Sequence, residues 1–483
     1  MTTREVFSSR WGVIVVGIGM AVGTGNLWRF PRVAAQNGGG AFLIPWLLFL
    51  FLWSLPLLIA EFGLGRGSRR GPIGAFSTLI GPKHAWMGGF VSVTTTMIMF
   101  YYSVVTGWTL KYFIVAAGGA FGGSPGEYWE IYSSSVWQPI GFHVAAIGIA
   151  AAIVSRGLQR GIERANKVLI PVLFSLLLIA VVRSVTLEGS ERGLAFLFTG
   201  DLSALSSYRT WLEALTQSAW STGAGWGLAL TYAIYIKHGE DVVGSAGAIG
   251  IGNNVASVLA GMAILPAAFA ILSTEEALEA MRAGNVGLAF VWIPQLFSLM
   301  PAGKIILPVF FLALFCAALS SLIAMLELAT RVLMDGGMRR RTAVQIVTGA
   351  VIVCGIPSAI SLDVFENQDW VWGVGLMISG VFMSIAVTRY GHVRFREQLI
   401  NQGSGGISVG PIYSWILKYL VPAEFVIMFG WWIYQMVVVL EPGEWWNPLR
   451  PYSLGTCLLQ WGLVLGVMYG FNRRLAMASV VIK

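Results

Sequence analysis

Residues able to handle ions stand where an unbroken membrane helix would be expected. The run Gly19-Met20-Ala21-Val22-Gly23-Thr24-Gly25-Asn26-Leu27-Trp28-Arg29-Phe30-Pro31 places glycines, an asparagine and an arginine within the first long apolar segment. Glycine weakens a helix, and arginine at membrane depth is costly. An intact spanning helix pairs all its backbone groups internally. This run instead suits a helix that opens onto a polar cavity, where freed carbonyls, an amide and helix-end dipoles can hold ions and charged solutes. A close helix–helix contact is the plainer use of small residues, but Asn26 and Arg29 favour the cavity. A second break follows at Gln217-Ser218-Ala219-Trp220-Ser221-Thr222-Gly223-Ala224-Gly225-Trp226-Gly227, whose Gly-Ala-Gly core echoes Gly-Thr-Gly. Glu61 and Glu327 are further intramembrane carboxylates that need partners.

The elements that must position these residues are membrane spans. The chain is 56% hydrophobic and 11% charged, with mean hydropathy +0.73, whereas a soluble domain carries roughly 25% charged residues. The formal charge of +8 resides in short loops between apolar segments, so it does not indicate a nucleic-acid partner. Residues 1–10 read as a polar N-terminal arm rather than a cleaved signal peptide. Cys316, Cys354 and Cys457 lie in apolar segments and imply no disulfide framework. His84, His143, His238 and His392 are scattered, without metal-ligand spacing. No nucleophile–base pair or metal cluster suggests an enzyme.

A span needs about 20 apolar residues. That ruler predicts an all-α protein of twelve spans, at roughly 11–33, 41–65, 86–117, 140–155, 165–186, 210–236, 241–272, 303–335, 342–360, 370–390, 413–440 and 452–473. Loops on one side hold most of the basic residues, including Arg10, Arg66, Arg69, Arg70, Arg156, Arg160, Arg339, Arg340 and Arg341. The positive-inside rule makes that side, and both termini, cytoplasmic. The two glycine breaks lie five spans apart, so the second enters the membrane from the opposite side. Interrupted spans at matching places in two halves point to a binding site between inverted repeats. Spans 1–5 (11–186) and 6–10 (210–390) are then the repeats, spans 11–12 (413–473) are additions, and 474–483 is a cytoplasmic tail. Loop 273–302 opens with Ser273-Thr274-Glu275-Glu276, a helix start, and reads as a hairpin that either lids the vestibule or merely caps the surface.

The motifs resemble those of the neurotransmitter:sodium symporters. Ala21 to Pro31 carries most of the resemblance, followed by Asn37-Gly38-Gly39-Gly40-Ala41-Phe42, Arg156-Gly157-Leu158, Gly161-Ile162-Glu163-Arg164 and Leu319-Ser320-Ser321. The short loops are similar to those of bacterial members. The resemblance implies a sodium-coupled symporter with the inverted-repeat fold of the bacterial leucine transporter, spans 1 and 6 unwound mid-membrane, in the plasma membrane as a monomer or weak dimer. A sodium-dependent sensor on the same fold would keep the same motifs.

The resemblance also implies ligands. One sodium ion would take the Ala21 carbonyl, Asn26, Ser221 and Asn253, with the substrate carboxylate completing its shell. A second would take carbonyls of Gly19, Val22 and Ala317 and hydroxyls of Ser320 and Ser321. Gly25 N–H and the Tyr102 hydroxyl would bind the carboxylate; carbonyls of Ala21, Trp220 and Ser221 would bind the amine. Ile98, Val105, Trp220, Gly223, Trp226, Leu322 and Met325 would line the side-chain pocket. Monoamine carriers of the family hold an aspartate at the place of Gly23, so its absence implies an amino acid substrate. The two indoles suggest a small one, such as glycine or alanine. Ser257 stands where chloride-independent members carry a glutamate, which implies a chloride site with Gln217, Ser221 and Asn253; Trp46 replaces a tyrosine there. Arg29 with Asp369, and Arg4 with Asp335 supported by Phe7 and Tyr235, would be the outer and inner gates. Glu61 would brace the second break, and Glu327 has no assigned role.

Overall fold

The computed structural model describes residues 5–119, 121, 124–237, 239–402 and 406–479, and every regular element among them is helical. Helices α1 (Arg10–Ala21) and α2 (Gly25–Gln36) form one span bent by 59°. Then come α3 (Gly40–Ser68), α4 (Pro82–Ala117), α5 (Trp137–Val154) and α6 (Leu158–Val185). Helices α7 (Tyr208–Ser221) and α8 (Leu228–Ala233) flank a non-helical stretch in the sixth expected segment. Later helices include α9 (Val242–Ile271), α10 (Gly284–Leu299), α11 (Gly303–Asp335), α12 (Arg340–Ile360), α13 (Leu362–Tyr390), α14 (Pro411–Leu440) and α15 (Leu454–Gly470). Among the described residues, nine helices are long and apolar enough to cross a membrane, or up to eleven if each bent pair is one span. Neither α7 nor α8 alone meets that length.

Enclosure separates the working spans from the lipid-facing ones. The most apolar stretch of α11 is 83% buried, whereas that of α14 is only 17% buried. Helix α11 therefore runs through the centre, and α14 turns Val426, Ile427 and Val438 outward. Apolar side chains exposed at this depth suit lipid rather than water.

Helix α13 starts at Leu362, earlier than the 370 expected from hydropathy. Ser361 caps it by accepting the Val364 N–H at 3.3 Å, and Asp363 sits in its first turn. The polar residues 363–369 thus form helix above the apolar zone and carry Glu366 and Asp369 into the vestibule. The start read at Ser273 is a helix, Thr274–Ala280, with a reciprocal Ser273–Glu276 capping box.

Candidate ion and substrate site

The first break frees carbonyls in a set order. In an α-helix each carbonyl accepts the N–H four residues on. Here the Gly23 N–H turns to Asn26 Oδ1 (3.0 Å) and the Thr24 N–H to the Tyr102 hydroxyl (3.1 Å). The Asn26 N–H bonds to the Gly23 carbonyl (3.2 Å). The carbonyls of Gly19, Met20 and Val22 lose their usual partners by this rearrangement. All three turn to Ser321 Oγ on α11, at 3.4, 3.4 and 3.3 Å. Beside it, Ser320 Oγ donates to the Ala317 carbonyl at 3.0 Å. One hydroxyl proton cannot satisfy three carbonyls, so this buried oxygen cluster suits a small cation.

A second oxygen cluster forms where α1, α7 and α9 meet. Asn26 Nδ2 donates to Asn253 Oδ1 (2.9 Å) and Ser257 Oγ (2.8 Å). Asn253 Oδ1 also faces the Ser221 carbonyl at 2.8 Å and the Ala21 carbonyl at 3.2 Å. Turning the amide over would give those carbonyls a donor, but would set Asn253 nitrogen against Asn26 nitrogen. The Asn26 amide is held by its bond from Gly23. The arrangement that keeps both amides paired leaves three oxygens converging, and a cation satisfies all three.

The second break is braced by an acid. Gly223, Gly225 and Gly227 all have positive φ, and a Cβ on Gly225 would meet Gly380 Cα at 2.7 Å, so this turn demands glycine there. Glu61 on α3 accepts the N–H groups of Gly225 (2.5 Å) and Leu230 (3.1 Å), one from each side of the turn. Thr95 donates to the Trp226 carbonyl at 2.7 Å.

Between the breaks lies a cavity of about 530 Å³, lined by Ala21, Gly23, Gly25, Ile98, Tyr102, Val105, Trp220, Ser221, Gly223, Trp226 and Met325. Ile98, Tyr102 and Val105 share one face of α4 by i, i+4, i+7 spacing. Leu322 is a correction: it is fully buried and does not line the cavity. Ser321 and Met325, four apart, share the cavity face of α11; Leu322 is turned about 100° from Ser321, into the core. The Tyr102 hydroxyl accepts from Thr24, which leaves its own proton to donate.

The cavity continues past Arg29, Arg32, Asp369, Trp370, Trp432 and Tyr452, and residues 283–287 at the head of α10 form part of its wall. Arg32 donates to Asn285 (3.0 Å) and Gln36 to the Met281 carbonyl (2.7 Å), which ties that wall to α2. The expected Arg29–Asp369 ion pair is absent among the described residues. The Arg29 guanidinium instead lies 5.2 Å from the centre of the Trp220 ring, while the Tyr101 hydroxyl meets Asp369. Glu213 on α7 is a second carboxylate acting on Arg29, and the sequence reading missed it. It lies nine residues before the Thr222 turn, outside the glycine motif that marks this break.

The face bearing residue 5 is closed. Phe7 packs edge-on against Tyr232 and Tyr235, and its N–H bonds to the Tyr235 carbonyl at 3.0 Å. Ser8 and Lys167 hold Glu163, and Arg10 pairs with Asp241 at 2.9 Å. Arg340 grips Glu327 with both arms, at 2.5 and 3.0 Å, while Tyr235 donates to the same carboxylate at 2.5 Å and Glu5 joins Arg340 from the N-terminal arm. Glu327 is thus an ion-pair residue, and Arg340 was the unrecognised partner. Asp335 pairs with Arg331 at 2.8 Å and accepts the Gly71 N–H at 2.6 Å. Its expected partner Arg4 lies outside the described residues.

Of the residues expected around an anion, Ser221 and Asn253 are in contact, Asn253 Nδ2 donating to Ser221 Oγ at 3.2 Å. Ser257 Oγ accepts from Asn26 and donates to the Asn253 carbonyl at 3.3 Å. Gln217 and the Trp46 Nε1 are buried without a hydrogen-bond partner.

The chain is similar to known proteins. The chain matches the sodium:neurotransmitter symporter family over residues 4–120 and 138–475. The sodium-dependent transporter YhdH of Bacillus subtilis is 30% identical over 455 residues, covering 88% of this chain and 96% of that protein. The sodium- and chloride-dependent GABA transporter ine of Drosophila melanogaster is 26% identical over 522 residues, covering 95% of this chain and 54% of that one. The crystal structure of MhsT in complex with L-phenylalanine matches with TM-score 0.78 and 29% identity, covering 88% of this chain and 99% of that chain. With the broken spans and their converging oxygens, these matches make the chain a member of the sodium:neurotransmitter symporter family: a multi-pass, sodium-dependent membrane transporter, not an enzyme.

Proposed function

We propose that this transporter imports a small neutral amino acid with two sodium ions and chloride, by alternating access. The observation that carries the substrate class is Gly23. A Cβ there would lie 2.8 Å from the Tyr102 hydroxyl and 3.1 Å from Ser321 Oγ, so no acidic side chain fits without displacing both. A substrate bound beside Gly23 therefore supplies the carboxylate itself. Tyr102 and the Gly25 N–H at the head of α2 receive it, where the helix dipole favours an anion. Carbonyls of Ala21, Trp220 and Ser221 take the amine. Trp220, Trp226, Ile98, Val105 and Met325 bound the side chain, and the two indoles favour glycine or alanine. The L-phenylalanine held by MhsT makes a larger substrate the competing reading. A Cβ on Gly223 would meet nothing nearer than 3.9 Å, so some space remains there.

The first sodium ion binds among Ala21, Asn26, Ser221 and Asn253 and shares the substrate carboxylate, so ion and substrate each raise the other's affinity. The second binds among Gly19, Val22, Ala317, Ser320 and Ser321. Each ion supplies ~2.3 kcal/mol per 100 mV, plus ~1.4 kcal/mol for a tenfold gradient. Two supply about 7 kcal/mol, enough to concentrate a zwitterion roughly 10⁵-fold; inward chloride would reduce the voltage share. Chloride binds at Ser257 with Ser221 and Asn253, and the buried donors Gln217 Nε2 and Trp46 Nε1 are the groups that an anion would satisfy.

Residues 11–186 and 210–390 act as oppositely oriented repeats, with 413–473 appended. The face bearing the N-terminal arm is cytoplasmic in a bacterial plasma membrane, and both termini lie on that side. Arg29 and Asp369 close the outer path after substrate binds; Asp335, with Arg4, Phe7 and Tyr235, belongs to the inner closure. The test is uptake of radiolabelled glycine and alanine into proteoliposomes under an inward sodium gradient, with gluconate replacing chloride in one arm. Accumulation that requires both ions is expected. Binding without accumulation would favour a sensor, accumulation unchanged in gluconate would remove chloride, and leucine or tryptophan outcompeting alanine would overturn the size argument.

A further inference from the structure

Helix α14 carries an acid that the transport site does not use. Glu424 is only 5% exposed, both of its carboxyl oxygens lack a hydrogen-bond partner, and it makes no ion pair among the described residues. Two contacts fix where it points. Ser384 on α13 donates to the Leu417 carbonyl on α14, and the rings of Trp370 and Trp432 meet edge-on at 4.9 Å. Between these contacts α13 runs back from 384 to 370 while α14 runs forward from 417 to 432, so the helices are antiparallel. Leu417, Val421, Glu424, Met428 and Trp432 recur at three- and four-residue intervals and form one stripe facing α13. Val421, Glu424 and Met428 are the buried residues of their stretch. Glu424 therefore stands at the level of Met377 and Gly380. A Cβ on Gly380 would be 3.2 Å from the Trp53 ring, so α3 closes the remaining side.

Among the described residues, no group pairs with Glu424 to balance a negative charge. Residues 370–384 of α13 and 49–56 of α3 include no acid or base. Helix α7 carries Tyr208, Arg209 and Glu213; Tyr208 packs on Trp431, and Glu213 acts on Arg29. Helix α15 reaches α14 through Trp461 on Phe429 and carries only Cys457 and Tyr469. The nearby polar atoms Trp53 Nε1 and Ser379 Oγ are themselves buried and unpaired. A lone carboxylate in such surroundings is far more costly than a neutral acid.

We propose that Glu424 is a proton-binding site, loaded with a proton in this conformation. Losing the proton to water leaves a carboxylate that cannot stay against α13. Helix α13 also carries Asp369 and Val374 in the cavity wall, so the proton on Glu424 governs how that wall packs.

The test needs no transport assay. Purified protein in detergent is unfolded thermally across about pH 5.5 to about pH 9, and infrared pH-difference spectra are recorded on the folded protein. The folded state holds a proton that the unfolded chain releases, so stability falls as pH rises. Wild type is expected to lose about 5 °C of Tm more than Glu424→Gln over this range, and to show a carboxylic-acid C=O band absent from the variant. Glu424→Met, which removes the acid and packs as a hydrophobe, is expected to behave like Glu424→Gln and serves if the amide fails to fold. Parallel Tm profiles, with no band lost in either variant, would overturn the proposal. Either outcome leaves the sodium and substrate assignments untouched, because they are not measured here.

Discussion

The two ends of the transport path are built from similar groups held in different ways. Toward the far face, Arg29 rests on Trp220 without an ion pair, and the cavity runs past it to Trp432 and Tyr452. Toward the N-terminal face, Arg340, Glu327, Tyr235 and Glu5 form a charged knot over the rings of Phe7 and Tyr232. The chemistry is alike, an arginine and acids in both places, but the burial differs. Glu327 is fully enclosed, and such a pair costs little while intact and much when one partner is lost. This conformation is therefore held by its N-terminal face, while the far side shows no ion pair to Arg29 among the described residues.

The largest expected effect is from Arg340→Ala. It strands Glu327 in the interior at about 3–5 kcal/mol, which shifts the balance toward the form open on the N-terminal face by about 10²–10⁴-fold. Labelling of a cysteine at Tyr232, which Phe7 covers, should accelerate accordingly in a background without native cysteines. Arg340→Lys keeps the charge but loses the two-armed grip and should fall between. Unchanged labelling would mean that the knot does not hold this face. Next is Gly225→Ala. A side chain at φ +88 against Gly380 is expected to cost about 1–3 kcal/mol. It should lower Tm and uptake together while Tyr232→Cys labelling changes little, since the strain falls on the second break. The smallest effect is expected from Asp369→Asn. With no ion pair to break in this state, labelling should change less than about fivefold, a shift within about 1 kcal/mol. A change as large as that of Arg340→Ala would show that the far gate is already closed.

Local chemistry made the breaks legible in the sequence, and distance hid their partners. Gly23 and Gly25 share an apolar run with Asn26 and Arg29, and the triplet Gly223, Gly225 and Gly227 repeats the pattern, so the helix interruptions could be placed without a structure. The convergence of Asn26 on Asn253, more than 200 residues away, followed only from the family resemblance, and the bond from Asn26 to Ser257 was not foreseen. Arg340 lies thirteen residues from Glu327 but beyond the Gly336–Gly337 turn, so no helical spacing connects them. Glu213 carries no local mark, since it stands outside the glycine motif of the second break. Leu322 came from the family resemblance, although one helical step from Ser321 rotates it out of the cavity. The early start of α13 was missed because hydropathy measures membrane depth, whereas a Ser361 cap extends helix beyond it.

The central claim is that the substrate brings the carboxylate that this chain lacks at Gly23. The most direct measurement is sodium-dependent displacement of bound radiolabelled alanine by unlabelled alanine and by ethylamine, the same molecule without its carboxylate. Alanine should displace fully, and ethylamine should fail at a concentration about a hundredfold higher, a gap of about 3 kcal/mol or more. Sodium should strengthen alanine binding and leave ethylamine unaffected. Displacement by ethylamine at concentrations similar to alanine, with the same sodium dependence, would contradict the account.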